Sequence, residues 1–150
     1  MRTLTEQPRP TTPDATGEPA PRLDTRAWLG ERIPNDVVLF VGVAWYVLFF
    51  IGMALEPEPT QPDVIPTWLG AAIDVTLLGL LGVMAAGLIV RRRWGLVASL
   101  GAATFFVGLS VACPVSGHHG FGAWWYGQMA CAIGLVAISV AALRRSAAKT

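Results

Sequence analysis

Charge is scarce in this sequence. Of its 150 residues only 14% are Asp, Glu, Lys or Arg, against about 25% in a typical soluble domain, so an ordinary water-exposed globule is excluded. The formal net charge is +1, which removes electrostatic nucleic-acid binding as a function. Cysteine is nearly absent too. Cys113 and Cys131 alone cannot build a disulfide scaffold or a four-cysteine zinc site, and their spacing is not the C-x-x-C of thiol exchange. Lys149 is the single lysine beside ten arginines; with abundant Ala and Gly, that bias points to a high-GC bacterial genome. No apolar run follows Met1 closely enough for a signal peptide, and neither end carries a lipidation motif.

What the sequence has instead is hydrocarbon, 53% of its residues, gathered into four runs. They span about residues 37–55, 68–90, 94–113 and 124–143. Each approaches the ~20 residues that cross ~30 Å of bilayer at 1.5 Å per residue. Pro34-Asn35-Asp36 opens the first, Pro66 precedes the second, Pro114 is expected to stop the third, and Arg144-Arg145 to stop the fourth. Trp28, Trp68, Trp94, Trp124 and Trp125 fall at run ends, where an aromatic belt belongs. Ahead of the runs, residues 1–23 hold Pro8, Pro10, Pro13, Pro19 and Pro21 among polar residues. Such a tail cannot bury enough apolar surface to order itself. Residues 24–36 form a juxtamembrane segment, read either as a brief helix lying at the membrane surface or as a plain linker; residues 146–150 are a second tail.

The basic residues orient the chain. Arg2, Arg9, Arg22, Arg26 and Arg32 precede the first run, Arg91-Arg92-Arg93 join the second to the third, and Arg144, Arg145 and Lys149 follow the fourth. The other two connections contain neither Lys nor Arg. The positive-inside rule then puts both termini and the arginine turn in the cytoplasm. The expected fold is an all-α integral membrane protein, four transmembrane helices in an up-down-up-down bundle of the bacterial inner membrane.

Helices in lipid associate through close packing and polar contacts, so small residues should mark the contact faces. The sequence offers Gly70, Ala71, Gly82 and Ala85 on the second helix, a heptad-like stripe of Ser99, Ala103, Phe106, Ser110 and Cys113 on the third, and Gly127, Cys131, Gly134, Ile138 and Ala141 on the fourth.

Few residues could carry chemistry. Asp74 lies inside the second run, where a carboxylate costs on the order of 2.5–3.5 kcal/mol. It shares a helix face with the small residues, so it is read as turned toward packing, either as a proton carrier or as a hydrogen-bonded structural acid facing Ser110 or Gln128. His118 and His119 sit in the glycine-flanked loop Pro114–Ala123 as metal-ligand candidates. Cys113 and Cys131 are free thiols, further ligands or a disulfide, although their depths differ. Topology gathers Asp74, Cys113, His118, His119, Gln128, Met129, Cys131 and Met53 in the outer half of the membrane, a set able to hold copper or haem iron. Trp124, Trp125 and Tyr126 are read as interface anchors.

No complete catalytic constellation is present, and no soluble domain. The leading expectation is a non-enzymatic accessory or interaction subunit of a larger membrane assembly, with lipid and a membrane-protein partner or a second copy as its contacts. The alternatives are an outward-facing metal, cofactor or redox site built on Asp74, His118, His119, Cys113 and Cys131, or a small proton-coupled transporter using Asp74.

Overall fold

A computed structural model describes residues 25–58, 66–117 and 119–148. The proline-rich tail, His118, Lys149 and most of the connection after Glu58 lie outside the described residues. Five helices follow in order: α1 (Thr25–Gly30), α2 (Asn35–Ala54), α3 (Thr67–Ile89), α4 (Arg93–Val115) and α5 (Ala123–Ala147). All but α1 are long and apolar enough to cross a membrane.

Two boundaries differ from expectation. α4 continues through Pro114 instead of stopping before it. Proline has no N–H to give the carbonyl of Ser110, one turn back, and the indole of Trp125 supplies the missing donor at 2.9 Å. α5 runs past Arg144 and Arg145, which lie in its last turn, where cations complement the helix dipole.

The four long helices stand in a row, α2 beside α5, α5 beside α4, α4 beside α3, while α2 and α3 barely touch. The core seam on α4 is the expected one: Ser99, Ala103, Phe106 and Ser110 are buried. Inside it runs a directed chain of polar contacts. Trp45 Nε1 donates to Ser99 Oγ at 2.8 Å, Ser99 meets Ser139 Oγ at 2.7 Å, and Ser139 donates to the Leu135 carbonyl. Because the Ser139 proton is used on Leu135, Ser99 is the donor between the two hydroxyls. This links α2, α4 and α5 with every group satisfied, as an apolar medium demands. On α5 the buried stripe is Gln128, Cys131, Leu135, Ser139 and Ala142, while Gly127 and Gly134 face Leu55 and Leu48 of α2.

On α3 the expectation fails. The small-residue face, with Ala71, Gly82 and Ala85, is exposed. The helix buries Met84, Gly87 and Leu88 instead, at the end where its backbone meets that of α4. A Cβ on Gly87 would overlap the backbone of Gly95, and one on Gly95 the backbone of Gly87, so the two helices touch main chain to main chain there. Nothing lies within 4 Å of a Cβ added at Gly70, Gly79 or Gly82.

The tight end also carries the arginines. α3 ends in a Schellman turn: Arg92 N–H donates to Gly87 O and Arg91 N–H to Leu88 O, with Arg91 at φ 58°. The segment after α1 pairs with this turn through Ile33 N–H to Arg91 O and Arg93 N–H to Glu31 O. Arg93 is 1% exposed. It donates to the Ser146 carbonyl, pairs with Glu31 and lies 5.3 Å over the Trp28 ring, while Arg92 donates to Gly30 O. The juxtamembrane segment is therefore more than a plain linker, and it opens with the short helix α1. It is docked on the helix ends, and Arg93 is a buried structural cation.

Candidate functional site

At the end opposite the arginines, α3 diverges from α2 and leaves a cavity of about 440 Å³ between α2, α3, α4 and α5. α3 contributes Asp74, Gly70 and Leu77, α2 contributes Met53 and the segment after it Glu56, α4 contributes Phe106, Ser110 and Cys113, and α5 contributes Gln128.

The candidates sort themselves around this space. Asp74 is on the cavity wall but remains exposed, and it has no ion-pair partner among the described residues. Ser110 and Gln128 line the same cavity. Ser110 spends its proton on the Phe106 carbonyl. Gln128 is 3% exposed, and its Oε1 has no donor among the described residues.

Cys113 and Cys131 are both free thiols. Cys113 lines the cavity. Cys131 is deeper, its Cβ 3.6 Å from where a Cβ of Gly52 would stand. His119 is 2% exposed and its Nε2 donates to Glu56 Oε1 at 3.1 Å, with the Trp124 ring edge-on at 5.6 Å. His118 lies outside the described residues. Among the described residues, no group of three or more His, Cys, Asp or Glu side chains converges as a metal cradle. The aromatic cluster divides by role. Tyr126 is 72% exposed, as an interface anchor would be. Trp125 instead caps the Ser110 carbonyl, and Trp124 Nε1 bonds Gly120 O at 3.1 Å.

Sequence reasoning missed Glu56. It follows α2 directly, so it reads as loop, and only the fold of the next loop over it reveals a carboxylate held by a buried imidazole. What results is a one-ended cavity with two carboxylates, an unsatisfied amide oxygen, a thiol and an apolar floor. Comparison of the chain with protein-family models, with curated proteins and with solved structures finds no match.

Proposed function

We infer that the chain is a small multi-pass subunit of the bacterial plasma membrane, arranged up-down-up-down with both termini and the arginine turn in the cytoplasm, and that it joins a larger membrane assembly through α3. The positive-inside pattern supports the orientation. So does the gathering of Glu31, Arg93 and Ser146 at one end.

One observation carries the interaction reading. Gly79, Gly82 and Ala86 recur at steps of three and four on α3 and are all exposed, and a Cβ at either glycine would meet nothing within 4 Å. Lipid tails gain nothing from such a surface, whereas a partner helix can approach its backbone closely. Because the positions are open within the chain, Gly79→Leu/Gly82→Leu leaves its own fold intact and obstructs only what docks there.

The test is native mass spectrometry of the full chain extracted with its surrounding lipid, wild type beside that double variant. A stoichiometric membrane-protein partner with wild type, lost with the variant while the unfolding midpoint is unchanged, is the expected result. A wild-type chain that is monomeric and alone in native lipid would overturn the reading.

A further inference from the structure

Among the described residues, the cavity at the far end is lined by acceptors, and the imidazole beside it, His119, is engaged with Glu56. Asp74 and Glu56 bring two carboxylates to one volume, and none of the described residues lining it is Lys, Arg or His. Arg92 and Arg93 are bound up at the opposite helix ends, on Gly30, Glu31 and Ser146. A buried amide oxygen without a donor is costly, about 1–3 kcal/mol, and among the described residues Gln128, which lines the cavity, carries such an oxygen. Together these favour an occupant that is positive and donates hydrogen bonds.

The rest of the wall sets its other half. Phe106, Ile73, Leu77, Leu109 and Met53 are apolar, and a ring face attracts a cation as well as hydrocarbon. About 440 Å³ falls within the roughly 300–1,000 Å³ of small-molecule sites. A bare divalent ion wants about six oxygen ligands or more, and this wall is mostly carbon. We propose that the cavity binds a protonated organic amine with an apolar body. Its N–H groups would meet Gln128 Oε1 and the carboxylates of Asp74 and Glu56, and its body would lie against Phe106 and Leu109. His119 takes the part of a positioning residue, holding Glu56 by its Nε2–H. All these groups belong to one chain, so the site stands independently of any partner on α3.

The test is calorimetric titration of the full chain in phosphatidylcholine nanodiscs, with empty discs subtracted and folding verified by near-ultraviolet circular dichroism. The probes share one body: phenylbutylammonium, its N,N,N-trimethyl analogue, phenylbutanol and phenylbutyrate. Saturable binding of the primary ammonium is expected. The alcohol and the trimethyl analogue should bind about tenfold more weakly or worse, each losing charge or N–H donors, and the carboxylate not at all.

Asp74→Asn and Gln128→Leu should each weaken the ammonium by about tenfold. Gly70→Leu, whose side chain would grow into open cavity space, should abolish binding, and Asp36→Asn on the first turn of α2 should leave it unchanged. Three results would overturn the proposal: no saturable ammonium binding by folded wild type, equal affinity for ammonium and alcohol (a slot for lipid tails), or calcium ion binding in preference to the amine.

Discussion

Gly87 and Gly70 lie on the same helix, and a methyl group added at each meets opposite surroundings. At Gly87 it would collide with the backbone of Gly95; at Gly70 it would meet nothing within 4 Å. The same contrast runs through the whole molecule. Around Gly87 the charged groups are paired: Arg93 is shared among Glu31, Ser146 and Trp28, and the turn carbonyls are taken by backbone donors. Around Gly70, among the described residues, a carboxylate stands unpaired and an amide oxygen lacks a donor. At one end the charged groups find one another within the chain. The other leaves polar groups that no described residue satisfies, and such groups inside an apolar span are where function is expected.

The largest effect should come from forcing the closed end apart. Gly87→Leu drives a side chain into the Gly95 backbone, which cannot move aside as a flexible side chain could. Overpacking of that kind costs about 3 kcal/mol. Dodecyl sulfate titration followed by tryptophan fluorescence should show a correspondingly lower midpoint, and an unchanged midpoint would mean that the helices do not touch there.

Arg93→Met comes next. It removes the pairing of Glu31 and the donor to Ser146, and hydrogen bonds to charged groups are worth about 1.5–3 kcal/mol. Glu31 is partly solvated, so the loss should lie near the lower figure. The segment Thr25–Glu31 should also become a protease site, since Arg93 is what holds it down. If stability falls and the segment stays protected, the clamp is carried by the Ile33 and Glu31 backbone bonds instead.

A smaller effect of opposite sign tests the turn. Arg91 holds a left-handed conformation, φ 58°, that glycine adopts without penalty, as Gly117 does at φ 79° after α4. Arg91→Gly should stabilise by about 1 kcal/mol, and Gly117→Ala should destabilise by about the same. Equal and opposite midpoint shifts would show that the two turns obey the same backbone rule and differ only in which residue occupies it.

Much of the closed end was legible in the sequence, and less of the open one. Apolar length alone fixes the four spans, and the seam from Ser99 to Ser110 follows from its heptad steps. Arg93 was not legible. A run of three arginines at a helix turn reads as a solvated topology signal, and nothing local says that the third is buried beneath Trp28. Pro114 was misread as a stop because its cost depends on a donor, Trp125, supplied by another helix. Of the candidate site, Asp74, Cys113 and Gln128 were placed at one end by depth counting, and they do share a cavity. Glu56 and its contact with His119 depend on how a loop folds back, which periodicity does not encode. The small-residue face of α3 is expected from composition to pack within the bundle, but among the described residues it is exposed.

Asp74→Asn should have the smallest effect on stability and thereby sharpen the contrast most. If the far end is open, the side chain makes no hydrogen bond or ion pair whose loss would register, and the midpoint should move by less than about 0.5 kcal/mol, as for other substitutions away from packed features. Neutralising a carboxylate inside a span removes a desolvation cost, so any small shift should be toward greater stability. A loss comparable to that of Arg93→Met would mean that Asp74 is bonded within the chain and that the cavity is closed. A negligible change in stability beside lost amine binding would separate what the chain needs in order to fold from what this end needs in order to bind.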